Sequence, residues 1–322
     1  MMKSRVLITG IAGFTGNYLA SCLLERGYEV WGLDRSELSG PSSSSVNMRY
    51  ADICSPEETD RVLEECRPDA VYHLAAQSSV GLSWQEPAMT MKVNVEGTIN
   101  LLETMYNLQL STRILLIGSG EEYGPVDSLD PINEEKLPNP QNPYSMSKYL
   151  QTMVGMKYFR NYGMNIFFAR PFNHTGPGQN RGFVVPDFAS QVAAIEAGFQ
   201  ETVIRVGNLS AQRDFSDVRD VVQAYWQIVE QGKPGTIYNV GAGKAISIQT
   251  ILDQLLSLSS KAIKVETDPN KLRPVDVPVI YSSISKLHKE IGWQPHIELQ
   301  DTIKDTLEYW RNEIKKGINK QI

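Results

Sequence analysis

The run Val6-Leu-Ile-Thr-Gly-Ile-Ala-Gly-Phe-Thr-Gly16 decides the fold of this chain. Its opening residues are apolar or β-branched, which is typical of a buried parallel strand. Glycines follow at positions 10, 13 and 16, and a helical pattern with Leu19 and Leu23 on one side comes next. Such glycines permit a tight turn, a close backbone approach to a pyrophosphate, and packing of the helix on the strand. Because the amino end of a helix suits an anion, this unit predicts a dinucleotide site.

A second predicted strand, Tyr28-Glu-Val-Trp-Gly-Leu-Asp34, ends in an acidic residue. Asp34 lies 18 residues beyond Gly16, about where the adenosine ribose of a dinucleotide needs a carboxylate partner. Asp34 favours NAD, because a carboxylate accepts from the 2′-hydroxyl and repels a 2′-phosphate. Arg35 argues for NADP, since guanidinium suits phosphate, although an ordinary exposed loop position is an equal alternative for Arg35. The sequence therefore predicts NADP or NAD as the cofactor and leaves the preference open.

Composition limits the class of protein. The 322 residues are 41% hydrophobic and 21% charged, so we expect a substantial core. The net charge of −6 gives no reason to expect a nucleic-acid partner. No apolar stretch reaches the length of about 18 residues that a membrane-spanning helix needs. The first strand begins too early to leave room for a signal peptide. Cys22, Cys54 and Cys66 lack metal-like spacing, and His174 is expected to be a packed loop residue, so we predict a cytoplasmic protein with reduced thiols and no metal.

Strands and helices alternate through the first half of the chain. Predicted strands at 70–75, 113–117 and 165–169 are separated by helical patterns at 88–106 and 144–162. This alternation predicts an α/β fold with a doubly wound, Rossmann-like parallel sheet. Ligands bind outside the carboxyl ends of such strands, and there we expect the cofactor. The predicted cofactor-binding residues are Gly10, Gly13, Phe14, Thr15, Gly16, Asp34, Arg35, Asp52, Ile53, Leu74, Ala75, Ala76, Gln77, Tyr144 and Lys148.

The alternation breaks after residue 171. Residues 173–183 are rich in glycine and predict a loop over the site, and the tail from Ser247 shows two helical patterns. We therefore assign residues 1–171 to a dinucleotide-binding domain, with 237–242 rejoining its sheet as a strand. Residues 172–322 are assigned mostly to a smaller α/β lobe that binds substrate.

The run Pro143-Tyr-Ser-Met-Ser-Lys148 places Tyr144 and Lys148 on one face of a helix, one turn apart. A phenol alone is a poor proton carrier near neutral pH, because its pKa is about 10. An ammonium one turn away favours the phenolate and makes proton exchange easier. A surface contact would be the simpler interpretation if the pair stood alone, but here it follows a predicted dinucleotide site.

The chain resembles the extended short-chain dehydrogenase/reductases over nearly its whole length. The residues that carry this resemblance are the glycine run 10–16, Asp34, Ser119, Tyr144 and Lys148. Three longer blocks are similar to the branch around GDP-mannose dehydratases and their partner reductases. These blocks are Ala169-Arg-Pro-Phe-Asn-His-Thr-Gly-Pro-Gly178, Val206-Gly-Asn-Leu-Ser-Ala-Gln-Arg-Asp214 and Asp217-Val-Arg-Asp220.

The resemblance implies an NAD(P)H-dependent oxidoreductase of nucleotide-sugar metabolism. It implies reduction of the C4 ketone of GDP-4-keto-6-deoxy-D-mannose to GDP-D-rhamnose. A nucleotide-sugar 4,6-dehydratase or epimerase of the same fold is an alternative, and a non-catalytic dinucleotide sensor is a third. A sensor has no need for Ser119, Tyr144 and Lys148 together, so the trio favours an enzyme.

The resemblance also implies a role for each residue of the trio. Tyr144 would give a proton to the developing alkoxide, and Ser119 would donate a hydrogen bond to the same oxygen. Lys148 would hold the nicotinamide ribose and tune Tyr144. Taken alone, Ser119 would be a cap or turn residue, and a Schiff-base role for Lys148 would need a different context.

The segment Gly118-Ser-Gly-Glu-Glu-Tyr-Gly124 contains a further candidate catalytic residue. By resemblance, Glu121 fits the position of a glutamate that removes a proton beside the ketone in dehydratases. In a reductase it would bind sugar hydroxyls or be a vestige. Gly120 departs from the aspartate found there in the dTDP-glucose branch, and Glu122 is expected on the solvated surface.

The pyrophosphate of a GDP-sugar substrate suits planar guanidinium groups. By resemblance, Arg213 and Arg273 fall in nucleotide-binding segments, and Arg181 is a weaker candidate. Each of these arginines could instead form a surface salt bridge. Asn173 would hydrogen-bond phosphate or sugar, and Asp276 would contact the base or ribose.

Two predicted helices, 88–106 and 144–162, carry apolar faces similar to the pair that forms dimers in the family. Such faces are equally consistent with packing on the sheet. We expect a homodimer through a four-helix arrangement.

Overall fold

A computed structural model describes residues 4–38, 43–126, 129–269 and 277–319 of the chain. Its centre is a parallel seven-stranded sheet in the order β11-β6-β5-β4-β1-β2-β3. The strands are β1 Arg5–Thr9, β2 Glu29–Asp34, β3 Asn47–Tyr50, β4 Ala70–His73, β5 Arg113–Ile117, β6 Ile166–Pro171 and β11 Ile237–Val240. The predicted α/β fold with a Rossmann-like parallel sheet is confirmed.

The strand order reverses between β1 and β4, which pair in parallel from Val6↔Ala70 to Thr9↔His73. The chain winds outward from β1 through β2 to β3, and outward from β4 through β5 to β6 on the other side. A crevice opens at such a reversal outside the carboxyl ends of the strands. The topology therefore fixes where a ligand enters.

Helices cover both faces of the sheet. Leu19 of α1 and Val221 of α8 are buried in a core on one face, and Leu63 of α2 and Leu101 of α5 are buried in a core on the other. The helices are α1 Phe14–Glu25, α2 Pro56–Cys66, α3 Val80–Gln85, α4 Pro87–Met91, α5 Gly97–Asn107, α6 Pro143–Tyr162, α7 Val184–Glu196, α8 Val218–Gln231, α9 Ile248–Ser257, α10 Ser285–Ile291 and α11 Leu299–Asn319. Short 3₁₀ turns lie at Ser43–Ser45 and Gly120–Tyr123.

A third core lies in the carboxyl-terminal part of the chain, where α7, α9 and α11 pack together around Phe188, Leu252 and Leu307. Three small sheets accompany it. They pair β7 Asn173–Thr175 with β10 Phe215–Asp217, β8 Val203–Val206 with β13 Lys264–Thr267, and β9 Gln212–Arg213 with β12 Ile246–Ser247 and β14 Val279–Ile280.

Three details differ from the sequence predictions. The helix predicted at 88–106 is present, but a π-helical stretch at Lys92–Glu96 separates α4 from α5. The edge strand β3 was not predicted, and the described residues of the tail from Ser247 form three helices rather than two. β11 pairs in parallel with β6, from Ile237↔Phe168 to Val240↔Pro171, while the domain division at residue 171 stays a prediction.

Candidate active site

A cavity of about 1120 Å³ lies at the carboxyl ends of the parallel strands. The glycine loop after β1 and the ends of β2, β4 and β5 border it on one side. The first turns of α6 and the segment from residue 171 to 188 border it on another. The site that the strand order predicts is therefore a single large cleft between the sheet and the carboxyl-terminal part of the chain.

The glycine loop needs glycine at its two ends. Gly10 has φ +72°, and a Cβ there would lie 2.6 Å from the backbone nitrogen of Ala75. A Cβ on Gly16 would lie 2.5 Å from the carbonyl oxygen of Gly10. The turn therefore approaches the segment after β4, and α1 approaches the turn, so closely that no side chain fits at Gly10 or Gly16. Gly13 precedes α1 and supplies no side-chain cap, so the amino end of that helix suits an anion such as pyrophosphate.

Asp34 is fixed before any ligand binds. One carboxylate oxygen accepts from the backbone N–H of Ala12 at 2.9 Å, and the other accepts from that of Ser36 at 3.0 Å. Arg35 is 70% exposed and lies 3.7 Å from Asp52. The ends of β2 and β3 thus present two carboxylates and one guanidinium to the part of the cavity where an adenosine ribose is expected.

Nearly all the predicted cofactor residues border this cavity, and Gln77 is the exception among them. Gln77 is buried, and its side-chain amide donates to the carbonyl of Ser79 and the hydroxyl of Thr90, both at 3.0 Å. These contacts tie down the loop after β4, so the structure gives Gln77 a packing role. The predicted residues that border the cavity are Gly10, Gly13, Phe14, Thr15, Gly16, Asp34, Arg35, Asp52, Ile53, Leu74, Ala75, Ala76, Tyr144 and Lys148.

The amino end of α6 delivers Tyr144 to the cavity. Asn142 caps the helix by accepting from the backbone N–H of Ser145 at 2.8 Å, and Pro143 occupies the first helical position. Tyr144 therefore lies in the first turn, half-buried against the cleft. The sequence predicted this helix almost to the residue, because both its cap and its Gly163 stop are local signals.

Ser119 meets Tyr144 from the end of β5. Ser119 is buried, and its hydroxyl accepts from the backbone N–H of Glu121 at 3.2 Å. Burial raises the pKa of Tyr144 to about 12, against a smaller lowering by a hydrogen bond with Ser119. Tyr144 is therefore protonated at neutral pH and can donate a proton to a nascent oxyanion beside it.

Lys148 lies one turn after Tyr144 on α6, and its ammonium is buried. It donates to the carbonyl of Ile117 at 2.8 Å and to the side chain of Gln151 at 3.0 Å. Burial lowers the pKa of Lys148 to about 8, and Glu122 acts in the opposite direction. The sequence led us to expect that Lys148 lowers the pKa of Tyr144, but burial of the phenol dominates here and the pKa of Tyr144 is raised.

The two adjacent glutamates after Ser119 have different surroundings. Glu121 borders the cavity, and its carboxylate accepts from the Asn142 side chain at 3.4 Å. Glu122 is fully buried in an ion pair with Arg170. The expectation of a solvated Glu122 was wrong, because its partner is 48 residues away and a local pattern does not reveal it.

Three more of the predicted substrate residues border the cavity. They are Asn173 on β7, Arg181 in the following loop and Arg213 on β9. Nη1 of Arg213 donates to the carbonyls of Gln212 and Val277 at 2.8 and 2.7 Å. These two hydrogen bonds orient the guanidinium. The guanidinium of Arg181 lies 5.2 Å from the ring centre of Trp310. Arg273 and Asp276 lie outside the described residues.

His174 links the two sides of the cleft. Its Nδ1 donates to the carbonyl of Phe172, and its Nε2 accepts from the hydroxyl of Thr15 at 3.0 Å. The ring also stacks on Phe14, with centroids 6.2 Å apart. His174 is packed and hydrogen-bonded as predicted, but it lies on β7 rather than in a loop. Burial lowers the pKa of His174, so it is neutral in this role.

Sequence reasoning missed several residues that border the cavity. Ser79, Val80 and Gly81 come from the turn into α3, where the loop rich in small residues gave a partial signal. Leu209 lies in a block that the sequence had singled out only for its arginine. Tyr225 is buried on α8, and no sequence pattern points to it.

The arrangement can reduce or oxidise a carbonyl. One cleft is bordered by Asp34, by the amino end of α1, and by the trio of Ser119, Tyr144 and Lys148. The cationic side chains of Arg181 and Arg213 border the same cleft. Among the described residues, no cluster of three metal-binding side chains accompanies them, and no helix is long and apolar enough to span a bilayer. These features define an NAD(P)-dependent oxidoreductase of the short-chain dehydrogenase/reductase class.

Comparison with known proteins specifies the family. The family model described as GDP-mannose 4,6 dehydratase matches residues 7–306. The GDP-6-deoxy-D-mannose reductase of Pseudomonas aeruginosa is 33% identical over 98% of this chain and 100% of its own length. A GDP-mannose 4,6-dehydratase of Vibrio cholerae is 31% identical over 95% of this chain and 93% of its own length.

A solved structure, that of RMD from Pseudomonas aeruginosa complexed with NADPH, superposes with a TM-score of 0.85 at 31% identity. It covers 97% of this chain and all of that one. The chain therefore belongs to the GDP-mannose 4,6-dehydratase family within the extended short-chain dehydrogenase/reductases.

Proposed function

We propose that this protein reduces the C4 ketone of GDP-4-keto-6-deoxy-D-mannose to GDP-D-rhamnose with NADPH or NADH. The observation that carries the proposal is the convergence of Ser119, Tyr144 and Lys148 on a cleft that also holds the glycine loop and Arg213. The relative named as a GDP-6-deoxy-D-mannose reductase, aligned over 98% of this chain, supports the proposal.

When bound, the reduced nicotinamide supplies a hydride to the ketone carbon. Tyr144 then transfers its hydroxyl proton to the carbonyl oxygen, so that an alkoxide never accumulates. Ser119 donates a hydrogen bond to the same oxygen and strengthens this bond as negative charge develops. Lys148 remains an ammonium below the phenol and stabilises the phenolate left after proton transfer. Solvent then returns a proton to Tyr144.

Substrate binding is assigned to the side chains that border the cleft from β7, from the loop after β7 and from β9. Arg213 is pre-oriented by two backbone carbonyls and is proposed to bind the pyrophosphate. Asn173 and Arg181 are proposed to contact the phosphates or the sugar, and Glu121 the sugar hydroxyls. Arg273 and Asp276 stay predictions from the sequence.

The test supplies GDP-mannose and, separately, its 4-keto-6-deoxy product, each with NADPH or NADH, and follows the absorbance of the reduced cofactor. The proposal expects one equivalent of cofactor oxidised per ketone and none with GDP-mannose. Identification of the product by NMR separates GDP-D-rhamnose from its C4 epimer. No oxidation with the ketone would contradict the proposal.

A 4,6-dehydratase is the second candidate, favoured by one observation. Glu121 borders the cavity two residues from Ser119, where a base could remove the proton beside a C4 ketone. The Vibrio cholerae relative named a GDP-mannose 4,6-dehydratase supports this candidate. Conversion of GDP-mannose without net cofactor oxidation, abolished in Glu121→Gln, would establish it, and the two activities can coexist in one cleft.

We also propose that the chain forms a homodimer in the cytoplasm. Met146, Leu150 and Met153 are spaced along one face of α6 and are 46%, 43% and 42% exposed. Such an apolar stripe on a long helix suits packing against the same helix of a second copy. Sedimentation should give a dimer that Leu150→Glu converts to monomer, and fractionated cells should hold the protein with the soluble enzymes.

A further inference from the structure

A buried ion pair lies directly beside the catalytic trio. The side chains of Glu122 and Arg170 are 0% and 3% exposed, and one carboxylate oxygen accepts from both Nε and Nη2 of the arginine at 2.9 Å. Burial raises the pKa of Glu122, and Arg170, the backbone N–H of Ser119 and the hydroxyl of Thr152 oppose that shift by favouring the ionised carboxylate. Burying two charges costs several kcal/mol each before they attract one another, so stability alone is a weak reason for the pair.

The carboxylate connects the elements that carry the catalytic residues. It accepts from the backbone N–H of Ser119 at 2.8 Å, at the end of β5, and from the hydroxyl of Thr152 at 3.2 Å, on α6. Arg170 adds β6. Ser119 and Tyr144 belong to different elements, and hydride transfer needs their hydroxyls at one oxygen. Glu122 is therefore placed to set the spacing between strand end and helix.

Glu122 also lies close to Lys148, because both side chains bind the same two elements. The Lys148 ammonium donates to the carbonyl of Ile117, two residues before the Ser119 N–H that Glu122 accepts from, and Thr152 follows Lys148 by one turn of α6. The titratable groups around Lys148 are Glu122 from the 3₁₀ turn, His73 from β4 and Tyr144 one turn earlier on α6. His73 is held between Thr9 and Thr98 at 2.8 and 2.9 Å, and burial lowers its pKa to about 3, so it adds no charge. Burial lowers the pKa of Lys148, and Glu122 opposes that lowering.

We propose that Glu122 is a positioning residue for the reaction: it fixes the strand end that carries Ser119 against α6 and keeps Lys148 charged. The residue touches neither ketone nor cofactor and acts through these two neighbours. This inference rests on the proposed reduction for its kinetic part alone.

The direct test measures the titration of Lys148 by NMR in protein labelled with ¹⁵N-lysine, without substrate, and assigns the resonance with Lys148→Met. Glu122→Gln preserves the shape of the side chain and removes its charge. We expect the midpoint of Lys148 to fall by about one pH unit or more, which is the usual effect of one close charge. The alkaline limb of kcat/KM with the keto-sugar should move down by the same amount.

Glu122→Asp is the second variant, because Glu122→Gln leaves Arg170 buried without its counter-charge and can fail to fold. Aspartate keeps the charge and withdraws the carboxylate by one carbon–carbon bond. We expect a Lys148 midpoint close to that of the original protein and a kcat lowered about tenfold or more, with KM for the keto-sugar little changed. An unchanged kcat in folded Glu122→Asp overturns the positioning role.

The matched control is Glu196→Gln. Glu196 on α7 and Arg311 on α11 form an ion pair with two hydrogen bonds of 2.7 Å beside the carboxyl-terminal core, and the substitution breaks that ion pair. It should lower the melting temperature and leave the Lys148 midpoint and the pH profile unchanged. A folded Glu122→Gln with an unshifted Lys148 midpoint overturns the inference, and so does an equal shift in the control. Because the titration needs no substrate, failure of the proposed reduction leaves this result readable.

Discussion

Replacing Tyr144 by phenylalanine tests whether the Tyr144 hydroxyl supplies the proton in the proposed reduction. The change removes the hydroxyl and keeps the ring that fills the first turn of α6, so the helix and its Asn142 cap should persist. The hydrogen bond between Tyr144 and Ser119 is lost, which costs about 1 kcal/mol of folding stability at most. The change leaves untouched the glycine loop and Asp34, which are proposed to bind the cofactor.

The expected kinetic loss follows from the protonation state of the phenol. Because the pKa of Tyr144 is raised to about 12, the phenol is fully protonated at neutral pH and every enzyme molecule carries the proton that the reaction needs. Removing such an acid lowers a rate by about 10²- to 10⁴-fold. This corresponds to about 3 to 5 kcal/mol of barrier height.

Two measurements on Tyr144→Phe decide the matter. Single-turnover oxidation of NADPH by the keto-sugar reports the chemical step, and fluorescence titration of NADPH reports cofactor affinity. We expect the first to fall by the factor above and the second to change little. Equal losses in both, or a lowered melting temperature that accounts for the loss of rate, would mean that Tyr144 is structural and refute the reasoning.

Three further predictions concern neighbouring residues. Burial lowers the pKa of Lys148 to about 8, so kcat/KM should be constant below that pH and fall about tenfold per pH unit above it, as the ammonium loses its proton. In Lys148→Arg the charge is permanent, and the measured pH profile should lack this alkaline decrease. Asp34→Asn should raise the ratio of kcat/KM for NADPH to that for NADH about tenfold or more, because a carboxylate at the ribose repels a 2′-phosphate, and steady-state kinetics with both cofactors would expose an unchanged ratio. Arg213→Ala should raise KM for the GDP-sugar by an order of magnitude or more and lower kcat less, since a charged hydrogen bond is worth about 1.5 to 3 kcal/mol; a kcat effect larger than the KM effect would remove Arg213 from the binding role.

Local patterns were enough to predict the nucleotide half of the fold. Val6–Thr9 and the glycines after it specify strand, turn and helix within a dozen residues, and the capped helix from Pro143 is equally local. β3 was missed because the exposed or half-buried Asn47–Tyr50 carries no apolar run, as befits a sheet edge. A π-turn adds one residue to a helix without disturbing its composition, so Lys92–Glu96 read as ordinary helix.

The rest depended on contacts distant in sequence. β8 and β13 are about sixty residues apart in the sequence and pair from Val203↔Lys264 to Val206↔Thr267. Neither strand has a sequence pattern that predicts the other as its partner. Glu122 looked like a surface charge because its ion-pair partner Arg170 lies on β6, 48 residues further along the chain. The candidate site was predicted in outline because its residues follow strand ends, whereas Tyr225 on α8 reaches the cleft only through tertiary packing.

The central claim is that hydride passes from the nicotinamide to C4 of the hexose while Tyr144 supplies the proton. The most direct measurement is NMR of the product formed from GDP-4-keto-6-deoxy-D-mannose and NADPH carrying deuterium at C4 of the nicotinamide, with both stereoisomers of the label tested. We predict one deuterium at C4 of the product sugar from one stereoisomer and none from the other. Product that contains no deuterium at C4 with either stereoisomer would contradict the account.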